Sequence, residues 1–265
     1  MTENQSILKV EHLKAGYGDT VILKDISLTV PTSEICVILG ASGCGKSTLL
    51  KNMIGLEKPI AGKIELFGEK VDWYDGKTRT PLMRRIGVLF QGGALLSSLT
   101  VGENVSLPLR IHNPNLPKDI IQDLVHLKLS QVKMDGAYSK LPAELSGGMR
   151  KRAGLARAIV TDPELLFCDE PSAGLDPVTS RELDDLLLEL KETLGITMLV
   201  VTHELDSIKT ISDRIIFLSG GLIKFDGSVS EAENNGPKEV MDFLARKSSH
   251  REDSLEQVHF NLENT

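Results

Sequence analysis

The stretch Ile35-Cys-Val-Ile-Leu-Gly-Ala-Ser-Gly-Cys-Gly-Lys-Ser47 decides the fold, because a strand-sized apolar run leads directly into a glycine-rich loop. Residues 40–47 match the pattern G-x-x-x-x-G-K-[ST] without a mismatch. Backbone amides at Gly43, Gly45 and Lys46 can surround a phosphate only where no Cβ blocks its approach, and the following helix adds its positive end. The alternative, a glycine-rich turn that binds nothing, is disfavoured by the strand in front of it. We therefore predict a phosphate-binding loop.

The residues of this loop are candidate nucleotide contacts. Lys46 is expected to reach the β- and γ-phosphates, and the Ser47 hydroxyl is expected to hold Mg²⁺. The loop alone indicates a nucleotide and leaves the reaction open, because kinases, GTPases and motors all carry one. The predicted contacts are Gly40, Ala41, Ser42, Gly43, Cys44, Gly45, Lys46, Ser47 and Thr48.

Composition excludes several classes of function. The chain has 265 residues, of which 41% are hydrophobic and 25% charged, as is ordinary for a soluble globular protein. A net charge of −7 disfavours a nucleic-acid groove, so no nucleic-acid partner is expected. The apolar runs are too short to cross a bilayer, and the N-terminus lacks a secretory pattern. Cys36, Cys44 and Cys168 form no disulfide framework, which predicts a reducing compartment.

The order of apolar patterns predicts an α/β fold with a mainly parallel sheet core and an inserted helical subdomain. The helical insert is expected at about 91–160, in pieces broken by Pro108, Pro114, Pro117 and Pro142. Helices are also predicted at 46–54 and 183–194. The predicted strands are 7–13, 21–30 (after a turn at 15–19), 35–39, 63–67, 86–90, 165–168, 197–201 and a hairpin of 214–218 with 222–225.

A second candidate anion site lies far along the chain from the first. Ser146 is a natural N-cap for a helix that runs to 159, and Gly147 and Gly148 expose amides at the positive end of that helix. We therefore predict that Ser146, Gly147 and Gly148 contact an anion.

Two carboxylates end the apolar run that begins at Leu165. Adjacent strand residues point to opposite faces, so Asp169 and Glu170 are expected to have different tasks. Asp169 is predicted to hold Mg²⁺ through water, and Glu170 to polarise an attacking water. The segment ending at Asp176 follows at once, and His203 stands just past the predicted strand 197–201.

These elements together resemble the ATPase subunits of ABC transporters over nearly all of residues 6–245. The resemblance implies a P-loop NTPase of the ABC ATPase type, with ATP and Mg²⁺ as cofactors. It also implies an antiparallel β subdomain beside the mainly parallel sheet core. It implies catalytic roles for Glu170, His203 and Lys46. The matching parts are the phosphate loop at 40–48, the Q-loop Gln91, the signature at 145–149, Asp169 with Glu170, the D-loop ending at Asp176, and the switch histidine His203.

The same resemblance implies which residues contact Mg²⁺ and the adenine ring of ATP. Mg²⁺ contacts are expected from Ser47, Gln91 and Asp169. Tyr17 stands where the family places an aromatic residue that stacks on adenine, a contact that needs only a π-face; packing within a turn is the alternative.

The family further implies a homodimer in which two copies pair head to tail. ATP would lie between the phosphate loop of one copy and Ser146, Gly147, Gly148 and Asp176 of the other. The ATPase domain is expected to span 1–246. Since no run is long enough to cross a membrane, the transport path is expected in separate permease subunits, with this chain peripheral at the cytoplasmic face of the inner membrane.

Two segments narrow the resemblance to the Mce/Mla group, whose members transport phospholipids between the inner and outer membranes of Gram-negative bacteria. They are 91–105 and the signature region 149–158, where Met149 replaces the common Gln. The group implies MlaE-like permease subunits, a periplasmic Mce-domain lipid-binding protein and a small STAS-domain protein as partners. An ABC transporter for another solute is the alternative. A soluble, non-transport ABC ATPase is disfavoured, because translation-type members carry two nucleotide domains in one chain.

Three features leave alternatives open. The polar tail 247–265 carries Leu255, Val258 and Leu262 on one helical face, so it either docks on a neighbouring subunit or stays free. The basic run 150–152 either binds phosphate or a partner's acids, or forms a solvated face. Cys44 is either a reactive thiol, because Lys46 and a helix N-terminus lie nearby, or an inert loop position.

Overall fold

The computed structural model describes residues 6–73 and 75–245, so the predicted docking tail 247–265 lies outside the described residues. Within them, ten strands form one sheet. Its strands are β1 Ser6–Tyr17, β2 Thr20–Pro31, β3 Ile35–Leu39, β4 Ala61–Leu66, β5 Glu69–Lys70, β6 Ile86–Leu89, β7 Leu165–Asp169, β8 Thr197–Val201, β9 Arg214–Ser219 and β10 Leu222–Gly227.

The sheet is mixed, and its two halves differ in direction. The strand order is β5-β4-β1-β2-β10-β9-β3-β8-β7-β6. β3 pairs in parallel with β8 and β9, and β7 pairs in parallel with β8 and β6. β1 pairs antiparallel with β2 and β4, which matches the predicted antiparallel β region. The mainly parallel prediction therefore holds for the half of the sheet that is formed by β9, β3, β8, β7 and β6.

The parallel half is buried on both faces, as its uninterrupted apolar strands require. Every residue of β3 and of β8 is buried. Alternate residues of β3 enter different cores: Val37 packs in the cluster that includes the helical insert, whereas Ile38 packs with β1 and β2. β3 is therefore held rigidly at the centre of the sheet, directly before the glycine-rich loop.

The helices connect and cover these strands. Three of them, together with a short 3-10 helix, lie inside the predicted insert, and none of the described helices is long and apolar enough to span a membrane. The helices are α1 Lys46–Met53, α2 Gly76–Met83, α3 Val101–His112, α4 Lys118–Gln131, the 3-10 helix Pro142–Glu144, α5 Gly147–Ala158, α6 Pro177–Leu194, α7 Leu205–Ile211 and α8 Val229–Asn235, and residues 238–245 are also helical.

The predicted break at Pro108 is wrong, because Pro108 lies inside α3. A capping box of Thr100 and Glu103 stabilises the start of this helix, and Val105 and Leu109 are buried. The stabilisation from this cap and from the buried side chains exceeds the cost of the backbone hydrogen bond that a proline removes. The other three prolines do mark boundaries: one lies between α3 and α4, one caps α4, and one begins the 3-10 helix.

Two further boundaries differ from the predictions. β1 continues to Tyr17, which leaves a turn of only Gly18 and Asp19. The two strands stay paired to their ends, since irregularities in the β1–β2 pairing absorb the shifts in register. α6 begins at Pro177 rather than at 183, since Asp176 caps it and a proline at the first helical position favours initiation.

Candidate functional site

The candidate site forms where four neighbouring parallel strands end at one edge of the sheet. The strands β3, β8, β7 and β6 lie side by side, and in parallel strands the carboxyl ends meet at the same edge. They are followed by the glycine-rich loop, His203, Glu170 and Gln91 respectively. The fold therefore brings together segments that are far apart in sequence.

These segments line one cavity of about 630 Å³. Most of the sequence-predicted residues meet there. The lining residues are Gly40, Ala41, Ser42, Gly43, Gly45, Lys46, Ser47, Thr48, Gln91, Asp169, Glu170 and His203, together with Ile22, Leu205 and Phe243.

The loop requires glycine where the chain is most crowded. A Cβ at Gly40 would lie 2.1 Å from the carbonyl oxygen of Leu218, and Gly45 has a φ of +110°, which side-chain-bearing residues rarely adopt. Gly45 is the N-cap of α1, and no side chain caps that helix. Its first amides are therefore open to an anion in the cavity.

Lys46 holds its charge inside the loop. Its Nζ donates hydrogen bonds to the carbonyl oxygens of Gly40 at 2.8 Å and of Ala41 at 3.2 Å. The ammonium group therefore sits at the rim of the amide cradle, where a phosphate would meet both.

Glu170 and His203 form a pair across the ends of β7 and β8. Nδ1 of His203 lies 2.8 Å from Oε1 of Glu170. The second carboxylate oxygen, Oε2, is buried and has no hydrogen-bond partner among the described residues. An acceptor of this kind, inside a cavity and oriented by a histidine, suits the activation of a water molecule.

The prediction that Asp169 and Glu170 point to opposite faces of one strand is wrong. β7 ends at Asp169, and Glu170 follows it with a φ of +47° in the left-handed region. This turn breaks the strand alternation, so both carboxylates line the same cavity.

The cavity suits Mg²⁺ by the chemistry of its donors. Burial, and then the charge of Glu170, raise the pKa of Asp169, so a cation there would be favourable. Ser47, Gln91 and Asp169 line the same cavity with hydroxyl, amide and carboxylate oxygens. The described residues contain no cluster of three or more His, Cys, Asp or Glu that could hold a metal.

Tyr17 lies outside the lining of this cavity. Its ring is 46% exposed, and its hydroxyl accepts a hydrogen bond from Lys51 at 3.3 Å. The ammonium group of Lys51 also lies 5.6 Å from the ring centroid, and stacking of this ring on adenine stays a prediction.

The signature segment lies at a different surface. The Oγ of Ser146 accepts a hydrogen bond from the amide of Met149 at 3.2 Å, which confirms the predicted N-cap of α5. Ser146 and Gly148 line a second cavity of about 410 Å³, which shares no lining residue with the first. One copy of the described chain therefore does not bring this segment to its own phosphate loop.

Asp176 has a structural task in this chain. Its Oδ1 accepts hydrogen bonds from the amides of Val178 at 3.1 Å and Thr179 at 3.0 Å, so it caps α6. A contact from Asp176 to a nucleotide on a second copy stays a prediction.

The basic run 150–152 does not form one solvated face, because Lys151 is buried, although Arg150 is exposed. Arg150 donates to the carbonyl oxygen of Leu145, and Arg152 pairs with Glu182. Lys151 is 5% exposed, and it donates to a backbone oxygen within the chain. All three side chains are hydrogen-bonded inside this copy.

The reactive-thiol alternative for Cys44 is also wrong. Its side chain is 9% exposed, and burial raises the pKa of the thiol more than the charge of Lys46 lowers it. Unlike its neighbours in the loop, Cys44 is not among the residues that line the cavity. It packs among apolar residues of β1 and β2.

Sequence reasoning missed three apolar residues of the cavity. Leu205 starts α7, and Phe243 comes from the helical residues 238–245, packed edge-on against Phe217 at 5.3 Å. Ile22 also lines the cavity. No pattern in the sequence marks these positions, because each is an ordinary core-type residue.

Comparison with known proteins agrees with this geometry. The family model described as ABC transporter matches residues 23–173. The probable ribonucleotide transport ATP-binding protein mkl of Mycobacterium tuberculosis is 39% identical over 235 residues, covering 88% of this chain and 62% of the relative. The methionine import ATP-binding protein MetN of Brucella abortus is 40% identical over 224 residues, covering 84% of this chain and 60% of the relative. The chain thus spans less than two thirds of the length of these curated relatives.

Two solved structures have the same architecture over almost their whole length. A structure of cbiO1 from Clostridium perfringens, described as part of the ABC transporter complex cbiONQ, has a TM-score of 0.80 and 33% identity, covering 95% of this chain and 99% of that one. The ATP-binding cassette MJ0796, described as a dimeric post-hydrolysis state bound to ADP and Pi, has a TM-score of 0.76 and 29% identity, covering 84% and 98%.

Proposed function

Because this chain belongs to the ABC transporter family, we propose that it binds and hydrolyses ATP as the ATPase subunit of a transporter that moves phospholipids between the inner and outer membranes. The observation that carries the ATPase proposal is the pair of Glu170 and His203 beside the phosphate loop. One oxygen of Glu170 is held by His203, and the other is buried without a partner among the described residues. A site built only to hold a nucleotide gains nothing from such an acceptor.

The residues have separate tasks in this proposal. The loop amides and Lys46 bind the β- and γ-phosphates, which places the terminal phosphate near Glu170. Glu170 accepts a proton from the attacking water through Oε2, and His203 orients the carboxylate. Ser47, Gln91 and Asp169 would hold Mg²⁺, which supplies charge neutralisation of the phosphates when it is bound with ATP.

The chain acts as a homodimer in this proposal, with each nucleotide held between the phosphate loop of one copy and Ser146, Gly147 and Gly148 of the other. Two observations support it. The signature and the phosphate loop line separate cavities of one copy, and the related cassette MJ0796 is described as dimeric. The dimer couples to integral-membrane permease subunits at the cytoplasmic face of the inner membrane.

The phospholipid cargo is supported by sequence alone. The segments 91–105 and 149–158 are similar to the Mce/Mla group, with MlaF-like ATPases as its members, which also suggests a periplasmic Mce-domain protein and a small STAS-domain protein as partners. A different solute is the second candidate, because the relatives are named for ribonucleotide transport and methionine import.

The experiment that tests the ATPase proposal measures phosphate release by the purified full chain, alone and copurified with its permease. The Glu170→Gln variant of the same preparation serves as the control. Hydrolysis that is equal in both would contradict the role of Glu170, and no hydrolysis by the wild-type complex would contradict the proposed activity.

A second experiment identifies the cargo. The complex is reconstituted in liposomes, and ATP-dependent movement of labelled phospholipid is compared with that of methionine and of ribonucleotides. We expect phospholipid movement that stops in the Glu170→Gln complex. Movement of either solute without phospholipid would overturn the lipid proposal and leave the ATPase proposal intact.

A further inference from the structure

Lys151 is a buried lysine whose amine reaches the backbone of Glu170. It lies in α5, is 5% exposed, and its Nζ donates a hydrogen bond to the carbonyl oxygen of Glu170 at 2.9 Å. Burial lowers the pKa of Lys151, while the charge of Glu170 opposes that effect. Burying an ammonium group is unfavourable unless it is well hydrogen-bonded. An apolar residue would pack here without that cost, so the amine calls for a role beyond packing.

The backbone that Lys151 contacts is in an unusual conformation. Glu170 has a φ of +47°, which residues other than glycine adopt rarely and only where their surroundings impose it. Its amide donates to the carbonyl oxygen of Val201 at 2.8 Å, and its own carbonyl accepts from the amide of Ala173 at 3.3 Å. Lys151 gives the same carbonyl a shorter, charged hydrogen bond from outside the sheet and the turn.

We propose that Lys151 is a positioning residue that holds the left-handed turn at Glu170 and thereby keeps the carboxylate against His203 within the phosphate-loop cavity. The side chain that carries the carboxylate belongs to the turn residue itself. A change in the φ of Glu170 would therefore change the direction of this side chain and move both carboxylate oxygens. The 2.8 Å contact with His203 depends on that direction. Lys151 is not among the residues that line the cavity, so it acts through Glu170.

The proposal has a consequence that rests on the proposed dimer. Ser146, Gly147 and Gly148 stand at the start of α5 and are expected to contact the nucleotide bound to the second copy. Lys151 lies in the same helix and contacts Glu170 of its own copy. α5 therefore connects the two nucleotide sites, and the loss of Lys151 is expected to weaken the cooperativity of hydrolysis as well as its rate.

The test compares two buried lysines in the full-length protein. Lys151→Met removes the donor and replaces the four-carbon stem of lysine with an unbranched apolar side chain of similar length. Lys128→Met is the matched control, because Lys128 is 2% exposed and its Nζ pairs with Asp162 at 2.6 Å, away from the cavity. We expect Lys151→Met to lower kcat by about 10- to 100-fold. The KM for ATP is expected to stay within about 2-fold, and Lys128→Met to hydrolyse ATP like the wild type.

A second comparison separates positioning from a general loss of stability. Lys151→Met is combined with Glu170→Gln, and the residual hydrolysis of the pair is compared with that of Glu170→Gln alone. Because Lys151 acts through Glu170, we expect its substitution to have little further effect in this background. An equal fall in both backgrounds, or a Lys151→Met protein as active as Lys128→Met, would overturn the proposal.

Two further variants keep the result interpretable. Lys151→Arg retains charged donors and is expected to restore kcat to within about 5-fold of the wild type. If Lys151→Met gives no folded protein, Lys151→Gln carries the same comparisons. A wild-type protein without hydrolysis would contradict the proposed function, whereas an active wild type with an equally active Lys151 variant would contradict this inference alone.

Discussion

Nδ1 of His203 lies 2.8 Å from Oε1 of Glu170, while the other carboxylate oxygen of Glu170 is buried with no hydrogen-bond partner among the described residues. The histidine follows β8 and the glutamate follows β7, and these strands are neighbours in the sheet. The carboxylate is thus oriented through one oxygen, while the other makes no hydrogen bond within the described chain. This division between the two oxygens underlies the first prediction.

Glu170→Gln is expected to keep ATP affinity and to lose hydrolysis. An amide accepts a proton far less readily than a carboxylate, so kcat should fall by about 10²- to 10⁴-fold. ATP would then persist between the two copies and hold the dimer closed. Phosphate release and size-exclusion chromatography with ATP measure the two effects.

Glu164→Gln is the control for this variant. Glu164 pairs with Arg85 at 2.6 Å and lies outside the cavity lining, so its substitution removes a carboxylate of the same size elsewhere. Normal turnover by the Glu170 variant would disprove the role of Glu170.

Lys46→Ala is expected to weaken nucleotide binding itself. Lys46 donates to two loop carbonyl oxygens, at the rim of the amide cradle. Losing a charged hydrogen bond to phosphate should raise the Kd for ATP by about 10- to 100-fold. Titration with a fluorescent ATP analogue measures this change. Lys63→Ala, on the exposed end of β4, is the control, and equal affinity of both variants would count against the phosphate-loop assignment.

Asp184 is expected to make stability depend on pH. Chiefly through burial, its pKa is raised to about 6, from an ordinary value of 3.8; Asp185 and Asp206 add to this shift, while Ser207 and Arg181 oppose it. A raised carboxyl pKa means that the native state binds the proton more tightly than the unfolded chain. The protonated carboxyl of Asp184 therefore adds to the free energy of unfolding at low pH. This contribution is lost as the pH rises from about 4 through 6.

Asp184→Asn removes this titration. Relative to the wild type, the variant should gain on the order of 1–3 kcal/mol between pH 4.5 and pH 7.5. Urea unfolding at the two pH values measures the gain. Asp123→Asn, at an exposed position of α4 that takes no part in this shift, should show no such pH-dependent difference. A stability difference between Asp184→Asn and the wild type that does not change with pH would contradict the prediction.

The sequence was sufficient for the features that depend on local pattern. The phosphate loop needs glycines and a lysine at set spacings, and the helix at 147 needs a capping serine, so both could be predicted. The parallel half of the sheet followed from uninterrupted apolar runs.

Features that depend on tertiary contacts could not be predicted from sequence. Hydrogen bonds from Ala173 and Lys151 and one to Val201 surround the left-handed turn at Glu170, and no local sequence pattern predicts this turn. From the sequence, Lys151 is expected to belong to a basic surface run, but the packing of α5 buries its side chain. From the sequence, Pro108 is expected to break a helix, but burial of its neighbours stabilises α3 by more than the lost backbone hydrogen bond destabilises it.

The central claim is that each nucleotide is held by two copies, through Lys46 of one and Ser146 of the other. The most direct test mixes two inactive variants, Lys46→Ala and Ser146→Arg, after dissociation and reassociation. In a mixed dimer one site carries both changes and the other carries neither. The account predicts that mixing restores hydrolysis to about a quarter of the wild-type rate. Activity of the mixture no greater than the sum of the separate variants would contradict it.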